Sequence, residues 1–184
     1  RLNYDDIFTD EDTAKIVQRV EDETIDVNRI YEERIKFLYS DILRYCVLAE
    51  KNMVKEERVK VYALKTVCSL IIETLKDIRE IQKNLDLYLT GSNEHIKGEY
   101  QFLRETLVES LRTINKIRYD NLNGEEKVKV KQIKREYDSL DKVSAKRLSA
   151  LLRENKINDI MASSLMNDGT YTRSITRHLL KSAR

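Results

Sequence analysis

VYALKTVCSLIIETLKDIREIQKNLDLYL, residues 61–89, decides the fold. Within it Val61, Leu64, Cys68, Ile71, Leu75, Ile78, Leu85 and Leu89 recur at alternating steps of three and four, and Gln82 fills the one polar place. That spacing draws a single apolar stripe along one face of an α-helix. The helix is expected over about 54–90 and, at 1.5 Å per residue, runs for roughly 55 Å. So long a helix needs partners of similar length. A lysine in place of Ile71, inside the stripe, is expected to break the fold.

Upstream, Ile16, Val20, Val27, Tyr31, Leu38, Ile42 and Tyr45 continue a similar stripe, giving a helix over about 11–52 with Thr9 and Asp12 at its start. Downstream, Tyr100, Leu103, Leu107, Ser110, Ile114 and Ile117 mark a third helix, and Ile133, Tyr137, Leu140, Ser144 and Leu151 a fourth. A fifth spans about Ile157 to Ser182, interrupted at Asn167, Asp168 and Gly169 by a kink or a break. Thr90 to Asn93 and Asp120 to Gly124 read as connections, with weaker boundaries near Asn52 and Asn155. Short connections make consecutive helices antiparallel neighbours. The expected fold class is therefore all-α, an up-and-down antiparallel bundle of about five long helices. Residues 1–184 form one domain, with a long helix pair in 1–91, able to project beyond the rest, and a three-helix unit in 92–184.

Composition supports this reading. The chain has 184 residues, no proline, no tryptophan and only four glycines, which leaves little support for barrels, sandwiches or glycine-cradled nucleotide sites. Its 34 basic and 32 acidic residues nearly balance, so net charge does not indicate a nucleic-acid partner. No apolar run is long enough to span a membrane. The chain starts at Arg1 without the pattern of a secretory leader and reads as a fragment of something longer.

Signals for chemistry are sparse. His95 and His178 stand on different helices without a nucleophile at motif spacing, and no phosphate loop, dinucleotide fingerprint or zinc-peptidase motif occurs. No enzymatic activity, cofactor or metal is expected. Glu73 and Asp77, four residues apart, have the spacing for a hard cation, but Lys76 favours a solvated ion-pair surface. The basic run KVKVKQIKR at 127–135 carries Lys129 and Lys131 without interleaved aromatics and reads as a solvated face, with an anionic partner or lipid headgroups as the alternative. Cys46 and Cys68 read as buried free thiols, one disulfide between neighbouring helices being open. Gln82, Ser110, Ser144 and Ser164 replace large apolar residues in the stripes and are expected to fix register, Gln82 alternatively meeting a water or ligand.

Residues 69–89, SLIIETLKDIREIQKNLDLYL, resemble the signature helix of PhoU-like helical domains, the match lying on Asp77, Ile78 and Ile81. Residues 147–180, RLSALLRENKINDIMASSLMNDGTYTRSITRHLL, look like the final helix pair of the cytoplasmic tail in bacterial sodium/phosphate cotransporter-related proteins. The resemblance covers about 55–182. It implies a non-catalytic cytoplasmic regulatory domain at the inner face of the cell membrane, attached to the membrane transport domain of the same polypeptide, with a homodimer through helical faces open and no nucleic acid. Arg79 and Lys83 occupy two places where that family carries acidic metal ligands, and Asp168 is the one acid in SSLMNDGT, so the resemblance implies no metal here. The alternatives are a free-standing PhoU-like phosphate-signalling regulator, or a coiled-coil assembly module pairing through 54–90.

Overall fold

A computed structural model describes residues 11–18, 25–119 and 145–182. Among them all regular structure is helical, and the fold is an all-α bundle. The helices are α1 (Thr13–Gln18), α2 (Val27–Ile30), α3 (Lys36–Ala49), α4 (Lys55–Leu89), α5 (Glu94–Tyr119), α6 (145–153) and α7 (Asp159–Ser182). A π-helical turn at Tyr31–Ile35 joins α2 to α3 without a break. Thr9, Val20, the connection at 120–124, the basic run at 127–135 and the fourth stripe from Ile133 to Ser144 lie outside the described residues.

Short polar side chains end the helices where the sequence places connections. Asn93 caps α5, its Oδ1 accepting from the backbone N–H groups of His95 and Ile96 at 3.0 and 3.1 Å. Asn158 does the same for α7 through the N–H of Met161. Helix α6 closes on Asn155, whose φ of 54° lies in the left-handed region that asparagine tolerates. The Lys156 N–H returns to the carbonyl of Leu151 and the Asn155 N–H to that of Leu152, satisfying carbonyls that the helix end would leave bare.

Side-chain contacts give the helix directions. Tyr88, Asn84 and Asp77 of α4 meet Ser164, Asp168 and His178 of α7 in that order, so the two run antiparallel. Tyr100 and Ser110 of α5 meet Asp168 and Thr176, so α5 runs parallel to α7. Between α4, α5, α6 and α7 lies a core of Tyr88, Ile96, Tyr100, Leu103, Leu148 and Leu165, with the Tyr88 and Tyr100 rings stacked at 5.1 Å. On the other side of α4, α2 and α3 run back along it: Gln82 bonds Ile25 and Val27, Arg79 approaches Glu32, and Lys65 meets Glu50. Helix α1 docks separately on α5 through Ile16, which is buried, and through Thr13, which bonds Glu109 and accepts from Arg112.

Four expectations are corrected. The helix expected over 11–52 is not continuous, because Ile25 and Asp26 are non-helical and Asp26 caps α2 by accepting from the Arg29 N–H at 2.8 Å. Its stripe also changes phase. Tyr31 faces α4, yet Leu38 and Tyr45, one and two heptads on, are exposed, and Tyr39 and Cys46 are the more covered residues. The π-turn supplies the cause: the Lys36 N–H reaches back five residues to Tyr31, so one extra residue enters the turn and the inward stripe restarts one place later. In α4 the residues turned towards α3 are Val61, Lys65, Cys68 and Ile72, whereas Leu64 and Ile71 point outward. Lys65 holds a stripe position because its stem lies along the hairpin while its ammonium reaches Glu50 at 3.0 Å. Finally, the fifth helix does not break at Asn167, Asp168 and Gly169, which stand inside the single helix α7.

These placements reverse the expectation for Ile71. It is 45% exposed, and Ile71→Lys should change unfolding free energy by no more than about 1 kcal/mol. Ile81, ten residues on, is 2% exposed, and Ile81→Ala should cost about 2–5 kcal/mol. Urea titrations of both variants followed by circular dichroism check the contrast, and equal losses would mean that α4 is turned differently.

Candidate functional site

The chemically distinctive part of the structure is a polar seam between the helices of the bundle. Along α7 the buried residues are Ala162, Leu165, Asp168, Thr172, Ile175 and Thr176, so an aspartate occupies a place that helical spacing reserves for the core. Asp168 is 1% exposed. Its Oδ2 accepts from the Tyr100 hydroxyl at 2.7 Å and from the Asn84 side-chain amide at 2.9 Å, joining α4, α5 and α7 at one oxygen. Its Oδ1 is buried without a hydrogen-bond partner.

Burial raises the Asp168 pKa above the ordinary aspartate value, against the opposing hydrogen bonds from Tyr100 and Asn84, and the nearby Glu80 charge pushes the same way. Burial and the same hydrogen bond push the Tyr100 hydroxyl pKa far up, so it stays a donor. With so little exposure Asp168 meets no solvent-borne substrate, and the arrangement serves as a lock between helices. Further along, Thr176 donates to Ser110 at 3.2 Å. Past it, Asp77 and His178 face each other, Oδ2 to Nδ1, at 3.9 Å, and neither atom has a hydrogen bond.

The residues singled out by sequence are scattered. Glu73 pairs with Lys76 at 3.0 Å on the surface while Asp77 turns to α7, so the two carboxylates serve different partners. Among the described residues no group of three or more histidine, cysteine or acidic side chains could hold a metal ion. Gln82 gives its amide to the backbone of Ile25 at 2.6 Å and accepts from the Val27 N–H at 3.4 Å, which is the register role and not a ligand role. Ser110 is buried and Ser164 meets the Tyr88 hydroxyl at 3.3 Å. Cys46 and Cys68 are free and half-buried, and His95 is exposed in the first turn of α5. Sequence reading puts Asp168 at an interruption of the fifth helix and does not join it to Tyr100 and Asn84. The available signal was an acid three residues after Leu165 and seven before Ile175, masked by the turn-like triplet around it.

A groove of about 420 Å³ opens between α5, α6 and α7, lined by Phe102, Leu103, Leu148 and Leu165 together with Glu99 and Arg173. Its size suits a small apolar group. The Glu99 charge is already engaged, since Arg147 donates to it at 3.1 Å and lies 4.6 Å over the Phe102 ring. Among the described residues, the grooves and seams thus offer packing and binding surfaces more than reacting groups.

The raised Asp168 pKa fixes the sign of a pH effect. Between the ordinary aspartate value and the raised one, the folded chain holds a proton that the unfolded chain has released, so this residue's contribution to stability falls as pH rises through that window. Asp168→Asn removes the titration. The variant should gain on the parent as pH is raised from about 4 to about 7, read as the difference between their urea midpoints; a difference independent of pH would show that Asp168 titrates normally. Compared with models of protein families, with curated proteins and with solved structures, the chain matches none.

Proposed function

We propose that the chain is a non-catalytic interaction domain whose helical hairpin, α3 with the first half of α4, docks on a partner. The observation that supports this is the hairpin's surface. No residue of α3 is buried, nor is any in the first half of α4, yet Phe37, Leu38, Tyr45, Leu48, Val59, Tyr62 and Leu64 are each more than half exposed. Apolar side chains gathered at this density mark association surfaces. Among the described residues no helix is long and apolar enough to cross a membrane.

The partner we assign is the membrane transport domain of a sodium-dependent phosphate transporter, in the same polypeptide, at the cytoplasmic face of the cell membrane. That part of the reading rests on the resemblance of residues 69–89 and 147–180. The domain would act by preferring one arrangement of the transport domain over another, because a bound partner shifts an equilibrium only through different affinities for its two states. A second reading, an assembly module pairing copies of the chain, is favoured by the same exposed side chains.

An antibody against this domain, used on fractionated cells, separates the two. The transport reading expects a membrane-bound polypeptide much heavier than 21.8 kDa. It also expects removal of the domain to alter sodium-driven phosphate uptake at equal transporter abundance. A soluble species of this chain's own mass would overturn the transport partner and leave the assembly module.

A further inference from the structure

The outer face of α3 carries a pattern that matches itself when reversed. Phe37, Asp41, Arg44 and Leu48 follow one another at steps of four, three and four, so they form one stripe along the helix. Read in either direction the steps are the same, and apolar, charged, charged, apolar comes back with the two charges exchanged. All four side chains are exposed. Leu38 and Tyr45, seven residues apart, flank the stripe and are exposed as well. The π-turn at Tyr31–Ile35 is what turns this face outward, since without its extra residue Leu38 and Tyr45 would share the face of Tyr31 against α4.

We propose that a second copy of this chain docks on the stripe, α3 against α3, antiparallel, about a two-fold axis passing between Ile42 and Leu43. A two-fold axis places the same patch on both partners, so the patch must complement itself. This one does. Phe37 meets Leu48 of the other copy, Leu48 meets its Phe37, and Asp41 and Arg44 meet Arg44 and Asp41. Within one chain Asp41 and Arg44 already pair at 3.1 Å, both largely exposed, and the second copy converts that pair into a ring of four alternating charges bounded by apolar contacts. Parallel pairing would set each charge beside its own kind. Helix α3 has 14 residues, about 21 Å, which is short for a standard interface of about 800 Å² per partner. The dimer is therefore expected in the micromolar range.

The inference rests on the interaction role proposed above but not on the transport partner, and a soluble chain in the fractionation would leave it intact. It is tested by sedimentation of the 184-residue chain from about 5 to 500 μM. The parent should pass from monomer to dimer. Asp41→Arg and Arg44→Asp should each weaken self-association by tenfold or more, roughly the effect of like charges brought together, with circular dichroism unchanged because both side chains are exposed. An equimolar mixture of the two variants should associate, because one stripe then carries two guanidinium groups and the other two carboxylates. The double exchange D41R/R44D should self-associate like the parent. A parent that stays monomeric throughout, single variants that dimerise as well as the parent, or a mixture that does not associate would each overturn the proposal.

Discussion

The bundle depends on one buried carboxylate. Asp168 takes a hydrogen bond from α5 through Tyr100 and one from α4 through Asn84, so three helices share a single acceptor. Apolar stripes tolerate sliding, since one leucine replaces another at each turn. A carboxylate does not. Moving α7 by one turn, about 5.4 Å, would separate Asp168 from both donors and leave a buried charge unpaired, a loss of several kcal/mol. The stacked tyrosines act in the same sense, because Tyr88 and Tyr100 place one ring against the other while their hydroxyls reach Ser164 and Asp168 of α7.

Helix α4 has two different lives along its 35 residues. Its buried residues, Ile72, Thr74, Ile81 and Tyr88, all lie from the midpoint onward. Among the described residues the first half and α3 lean on each other, and their inward side chains are only half-buried while their outward ones are in solvent. A two-helix hairpin has too little surface to cover its own apolar residues. The sequence nevertheless places Phe37, Tyr45, Leu48, Val59 and Tyr62 there.

Helix content, the connection at 90–93 and the reversal at Asn155 were legible because local signals govern them: three-four periodicity, asparagine caps and a left-handed turn residue. Phase was not legible. Leu64 fitted the stripe by hydrophobicity, but the inward place belongs to Lys65, whose charge is met by Glu50, fifteen residues away in sequence. Tyr31 predicted Leu38 and Tyr45 on its own face, and the π-turn moved them off it; nothing in YEERI announces an extra residue. Asp168 was hidden for the opposite reason. Asn-Asp-Gly is a turn signal locally, and only the donors on α4 and α5 make an aspartate acceptable inside a helix bundle. What periodicity cannot carry is the identity of the partner across the interface.

Within the second half of α4, a run of eight residues faces both ways. Asp77 and Asn84 turn to His178 and Asp168 of α7, while Arg79 and Gln82 turn to the chain entering α2. Arg79 lies 5.3 Å over the Tyr31 ring, at the start of the π-turn, and Gln82 grips Ile25 and Val27 just ahead of it. The contacts that orient the hairpin and those that set the register of the bundle therefore share two turns of one helix. A rotation of α4 that moved Arg79 and Gln82 against α2 would carry Asn84 around with it, and Asn84 is one of the two donors to the Asp168 carboxylate among the described residues. Contacts to the hairpin and contacts to the bundle thus stand on neighbouring residues of one helix, so a rotation there would act on both sides at once.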